Sequence, residues 1–227
     1  MASSSGQAQL TPPEDIYASL EWNMSHAHDV FKVGYDNILR LLENPPVDDM
    51  YNFLGYCLAW AVALEHHHDV EEAVVFPFLN SKLDFSHEIE QHKGIHDPLS
   101  DLISMMHEAQ KDVAKFDSQK IAELKSLMLG LRDPLFTHLD EEVSHIPADA
   151  LRVFPQDDIK KMLAKMDAWA KSHGDPFLNV PFMRSHTPPE LKEVFPAIPW
   201  LVRKVVIPYV LAKRHSGYWK YAPYALS

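Results

Sequence analysis

Cysteine is almost missing from this chain: Cys57 is the one thiol in 227 residues. No internal disulfide framework can form, and the composition fits a reducing compartment. Positive charge is scarce as well, with 21 Lys and Arg against 32 Asp and Glu and a formal charge of -11. A phosphate-backbone partner is therefore disfavoured and no nucleic acid is expected. Long apolar runs are lacking too. The most apolar late stretch, residues 198–212, is broken by Arg203, Lys204 and Pro208 and is too short to span a bilayer. The N-terminus has neither a basic region nor an apolar one of the kind that directs secretion. Those features predict a cytoplasmic protein with no membrane partner. No glycine-rich phosphate loop occurs, and Cys57 lies a helical stretch away from the histidines, so a Cys-His nucleophile is not supported.

Hydrophobic residues at 46% and charged residues at 23% are the balance of a folded globular chain. The helical pattern is strong. Leu20, Met24, His28, Phe31, Tyr35, Ile38 and Leu42 step by three or four, with Thr11-Pro12-Pro13-Glu14 as the expected capping sequence. Phe53, Cys57, Trp60, Leu64, His67, Glu71, Val75 and Phe78 form a second stripe from about Asp48 or Asp49, which Pro77 ends or kinks. A third, from about residue 86 to 115, carries Ile89, His92, His96, Leu99, Ile103, Met106 and Val113. The fourth, from 117 or 118 to 145, carries Ile121, Leu124, Met128, Leu131, Leu135, His138 and Glu142. Four long amphipathic helices with short connections predict an all-α antiparallel four-helix bundle over residues 14–147. Residues 1–13 are expected to be disordered.

Ten of the 17 prolines lie from Pro147 onward, so 148–227 reads as a Pro- and aromatic-rich C-terminal extension. A short helix over 157–172 is predicted, then an irregular stretch over 176–199, then a packed apolar segment over 200–214. The tail GYWKYAPYALS keeps four aromatic residues, which suits wrapping around the bundle better than solvation.

Seven polar groups occupy positions where the stripes call for apolar ones: His28, His67, Glu71, His92, His96, His138 and Glu142. Burying each without a partner would cost roughly 1–3 kcal/mol. A metal supplies the missing partner. His67 with Glu71, His92 with His96, and His138 with Glu142 are each four apart and so share a helix face. Imidazole and carboxylate suit iron, manganese, zinc or copper, and the lack of thiolates argues against a structural zinc site. Within His66-His67-His68 the register is ambiguous, because His68 with Glu72 has the same spacing as His67 with Glu71. Helix phase favours His67. A ferritin-type site would instead use Glu65-x-x-His68 and Glu142-x-x-His145, but the first and third stripes offer histidines where that pattern needs a carboxylate.

These segments together resemble the hemerythrin-like family. HHDVEEAVVFP, from His67 to Pro77, is similar to its second-helix motif, HKGIH to its third-helix histidine pair, and HLDEE to its fourth-helix histidine and carboxylate. His28, in MSHAHDVFKVGYDNIL, matches the first-helix ligand, and the resemblance covers roughly residues 14 to 146. It implies two iron ions with a bridging oxygen atom: His92, His96 and His138 on one, His28 and His67 on the other, and Glu71 and Glu142 between them. It also implies an open position for dioxygen or peroxide. Oxygen-carrying members place an aspartate five residues after the fourth-helix histidine, whereas Glu142 follows His138 by four. The aromatic tail with WKYAP resembles hemerythrin-like proteins of filamentous fungi. Two functions follow as expectations: reversible binding of oxygen or iron for transport, storage or sensing, or oxygen-dependent oxidation of a small organic substrate.

Overall fold

The computed structural model describes residues 10–226 and contains no strand among them. The expectation of disorder over residues 1–13 thus falls mostly outside the described residues. Helix α1 runs Ile16–Leu42, with Asp15 accepting the Tyr17 backbone N–H at 3.1 Å. The cap is therefore Asp15 and not Thr11. Pro12 precedes Pro13, and a residue before proline avoids helical geometry, so the turn cannot start at Thr11.

Helix α2 covers Met50–Val70 and passes through a π-helical turn, Glu71–Val75, into the short α3, Phe76–Leu79. Pro77 gives a reason for that turn. It has no N–H for the Ala73 carbonyl, and its ring would press on that carbonyl in a regular α-helix. The wider turn, in which the Phe76 N–H bonds the Glu71 carbonyl, relieves both problems. Helices α4, Ser86–Lys111, and α5, Ser118–His145, continue through Pro98 and Pro134. In the bundle α1 touches α2 and α5, and α4 touches α2 and α5, closing a ring of four.

Beyond Pro147 come α6, Ala148–Leu151, α7, Gln156–His173, and α8, Asn179–His186. Helix α8 falls in a stretch expected to be irregular; Pro181 is tolerated because it sits in the first turn. Both α7 and α8 lie against α1 and α2. Central burial of α2 follows: Phe53, Leu54, Tyr56, Ala59, Trp60 and Leu64 are all fully buried. Gly34 lets the helices approach there, since a Cβ on it would lie 2.6 Å from the Trp60 ring. Trp60 in turn donates to the Phe31 carbonyl at 3.0 Å.

The segment Val202–Leu211 is a π-helix that buries Ile207 and Arg203, while Trp200, Leu201, Val205, Tyr209 and Val210 face solvent. The expectation of a packed segment holds for one face alone, because a single helix laid on a surface has only one face to bury.

Apolar packing forms two clusters. One holds Phe31, Tyr35, Phe53, Trp60, Leu99, Leu131 and Leu135 with Phe182, Phe195, Tyr218 and Trp219 of the extension. The other holds Leu20, Met24, Val75, Phe76, Phe85 and Ile146 with Leu151, Phe154 and Ile159. Between them in sequence, on all four long helices, lie the buried histidines and glutamates.

The fit of the tail on α2 is tight enough to test. A Cβ at Gly55 would lie 2.1 Å from the Tyr218 ring. Gly55→Ala should destabilise the fold by about 1–3 kcal/mol through overpacking and should expose the tail to protease sooner than in the parent protein. Unchanged denaturation and cleavage would mean that the tail is not seated on α2.

Candidate metal centre

Two groups of potential ligands converge at the layer between the apolar clusters. His68, Glu71, His92 and His138 each offer an atom within 4.8 Å of the others, and His28, His67 and Glu71 do the same. Glu71 belongs to both. It follows His67 by four residues and His68 by three, so both rings lie beside its carboxylate on the helix surface. Glu142 completes the arrangement, with an oxygen 3.3 Å from His28 Nε2 and 3.8 Å from His138 Nε2.

Six of the seven expected residues meet here: His28, His67, Glu71, His92, His138 and Glu142. His96 does not. Its side chain is 65% exposed and sits 3.4 Å from Asp97. The inward stripe of α4 runs Glu88, His92, Ile95, Leu99, Leu102 and Met106, so Ile95 takes the inward position and turns His96 outward. His68 stands in the cluster instead, buried, with its Nε2 lacking any hydrogen-bond partner. The signal for it was the run of three histidines, read as a choice between two registers. Because α2 is buried on more than one side, both registers face inward: His67 towards Phe31 and His28, His68 towards His92 and His138.

Sequence reasoning also missed the groups that orient the rings. His28 Nδ1 lies 2.7 Å from the Leu139 carbonyl and His92 Nδ1 lies 3.0 Å from Glu72 Oε1. His138 Nδ1 is 3.2 Å from Gln91 Oε1, and Gln91 is itself fixed because its amide donates to Glu141 at 2.6 Å. Each acceptor calls for a proton on Nδ1, which leaves Nε2 as a lone pair. Yet His92 Nε2 and His138 Nε2 face each other at 3.0 Å. Two lone pairs cannot hydrogen-bond. A separation of roughly 3 Å does suit neighbouring ligands on a metal with bonds of about 2.1 Å.

The carboxylates tell the same story. All four oxygens of Glu71 and Glu142 are buried, and imidazole nitrogens stand nearest to them: His67 Nε2 is 3.0 Å from Glu71 and His28 Nε2 3.3 Å from Glu142. Burial, and then the charge of Glu142, push the Glu71 carboxyl well above its usual range. Burial acts on Glu142 in the same sense, but the nearness of His28, with His138 and His67, outweighs it and holds the group low. Burial depresses His67 to about 4 and both His92 and His138 to about 3. The rings are thus neutral and able to donate lone pairs, and two carboxylates supply negative charge. Such a donor set fits one or two divalent cations.

Substitution separates the residues the structure gathers from the one it excludes. After anaerobic reconstitution and desalting, His68→Ala should lose metal and His96→Ala should retain it; the reverse would overturn the assignment. Gln91→Leu should weaken metal affinity about 10–100-fold by releasing His138.

Acidification gives an independent check on the metal-free protein. An ordinary histidine titrates near about 6.5, whereas His67, His92 and His138, and His186 at about 3, are held lower in the fold. Below pH 6.5 these four rings bind fewer protons folded than unfolded, which outweighs the opposite contribution from the raised Glu71 carboxyl, so stability falls as pH falls. The urea midpoint should be lower at pH 5 than at pH 7. Equal midpoints would mean that these rings are not held neutral.

Comparison with known proteins places this geometry. The model of the hemerythrin HHE cation-binding domain matches residues 20–146. One curated relative, the dimeric xanthone biosynthesis cluster protein R11 of Cryptosporiopsis sp. (strain 8999), is 26% identical over 215 residues. That alignment covers 90% of this chain and 78% of the relative, so it takes in most of the C-terminal extension. No solved structure matches. With more than half of its length matched and a buried His/Glu cluster at the centre of its bundle, the chain belongs to the hemerythrin HHE cation-binding family.

Proposed function

We propose that this protein holds two iron ions at the His/Glu layer and that the centre reacts with dioxygen or peroxide. His68, His92 and His138 would hold one ion, His28 and His67 the other, and Glu71 and Glu142 would lie between them. The observation that carries the reading is the sharing of Glu71 by both ligand groups, with Glu142 in reach of one histidine from each. Iron there would supply reversible one-electron changes and a position for oxygen to bind.

The chain's own residues prepare that site. Nδ1–H contacts to Leu139, Glu72 and Gln91 aim three lone pairs inward. Two carboxylates offset the charge of divalent ions, which lowers the cost of keeping them away from water. Rings of Phe31 and Phe76, each 5.0 Å by centroid from His67 and His92 respectively, wall the layer with apolar surface. His67 alone among the five clustered histidines has notable side-chain exposure, 16%, so the His28/His67 side is where a small molecule would enter.

A second reading has one specific support. The relative named for dimeric xanthone biosynthesis aligns with most of the extension as well as the bundle, which favours oxygen-dependent oxidation of a small organic substrate over simple carriage. The extension would then shape the approach to the site, since Phe182 of α8 stacks on Phe31, the ring beside His67.

The optical spectrum of the anaerobic Fe(II)-loaded protein, followed after mixing with dioxygen, tests the reading. We expect new absorption from an oxygenated or ferric centre. Reversal on removing oxygen would identify a binder or sensor, and irreversible passage to the ferric state would identify an oxidase. No spectral change with dioxygen or peroxide in a protein that retains its iron would overturn the proposal.

A further inference from the structure

We propose that the C-terminal extension carries an anion-binding pocket, separate from the His/Glu layer, in which Arg184, Lys192 and Lys204 hold the carboxylate or phosphate of a small organic ligand. The pocket has a volume of about 360 Å³, and its walls include those three cations, Glu193 and Tyr224. That volume is at the lower end of small-molecule sites, about 300–1,000 Å³. It leaves room for an organic body beyond the charged group. The Tyr224 ring and Pro223 give that body apolar surface.

Positive charge in this pocket is not balanced. Arg184 is fully buried; its Nε donates to the Leu226 carbonyl at 3.3 Å and its Nη1 to the Lys192 carbonyl, while Nη2 has no acceptor. Arg203, behind the wall, donates to the same Lys192 carbonyl at 3.0 Å and leaves its Nε unpaired. Lys192 Nζ donates to the Ala225 carbonyl. These partners are neutral. The one lining carboxylate, Glu193, is taken by Arg203 at 2.7 Å and Lys204 at 3.4 Å, and its side chain is 62% exposed. Among the described residues, four cations therefore share one solvated carboxylate.

Buried charge without a counter-charge is costly, and the strain shows in the protonation of the group. Burial first, and then Arg203, pull the Arg184 guanidinium below its ordinary range. Burial, Arg184 and Lys204 bring Lys192 down to about 8. An oxyanion between these side chains would relieve the repulsion and give Arg184 Nη2 its acceptor. The sequence has the same bias. In a chain of net charge -11, no Asp or Glu follows Glu193, while Arg203, Lys204, Lys213, Arg214 and Lys220 do. None of this depends on a metal at the other site.

The full-length protein can be titrated calorimetrically with inorganic phosphate and with benzoate, at an ionic strength held constant with chloride. Saturable one-to-one binding of either probe is expected, tighter for phosphate if the ligand is a phosphate ester and for benzoate if it is an aromatic acid. Lys204→Gln should weaken binding about tenfold by removing one charge-assisted contact, and Glu193→Gln should strengthen it. Metal content should be unaffected in both variants. Equal affinity in the parent and Lys204→Gln proteins would overturn the proposal, as would the absence of saturation.

Discussion

The structure depends on a layer of lone pairs that nothing among the described residues satisfies. His92 and His138 turn Nε2 towards each other at 3.0 Å with their protons held on the opposite nitrogen, and Glu71 and Glu142 bury four oxygens beside imidazole nitrogens. Each such group costs roughly 1–3 kcal/mol, a large share of the 5–15 kcal/mol by which a domain is stable. A cation removes that penalty, so loading and stability are linked. The apolar clusters on either side secure the layer.

Why the layer forms where it does is a matter of helix α2. In a simple four-helix bundle a helix buries one stripe, and consecutive histidines could not both face inward. Here α7 and α8 cover the side of α2 that would otherwise meet water, and α2 is buried almost all round. His67 and His68, about 100° apart on the helix, can then serve different halves of the site, with Glu71 one turn ahead of both. The extension thus contributes to the metal layer through burial, although it adds no residue to either ligand group. The π-helical turn at Glu71–Val75 begins at the shared carboxylate and passes the chain to Phe76, whose ring packs on His92. Its cause lies downstream, at Pro77.

Much of this was legible in the sequence because it follows from period and punctuation. The four long stripes, the start of α5 at Ser118 and its end at His145, and six of the clustered side chains follow from apolar spacing and proline positions. The rest turns on information the chain does not carry locally. On α4, His92 and Leu99 fit two phases equally well, and the choice of Ile95 over His96 as the inward residue depends on how α4 rolls against α2 and α5. The joint use of His67 and His68 needs knowledge that a later part of the chain covers α2. Gln91, Glu72 and the Leu139 carbonyl are ordinary polar groups in any pattern, and become orienting groups only when the neighbouring helix is in place. The Asp15 cap was a local matter and was missed because Thr11 and Glu14 have the right spacing, while the two prolines between them forbid the geometry.

The extension and the bundle differ in charge as well as texture, and the difference bears on what the extension is for. Stabilising α2 requires apolar contacts such as Phe182, Phe195, Tyr218 and Trp219 against the bundle, and those are present. It does not require Arg184 to be fully buried beside Lys192, with Lys204 and Arg203 close by, at a desolvation cost that apolar residues of the same size would avoid. A group of cations held together against their own repulsion has a physical rationale if an anion completes it. A covering segment that also receives a charged small molecule would serve a protein that acts on or responds to that molecule, and reversible oxygen carriage alone gives no reason for such a pocket.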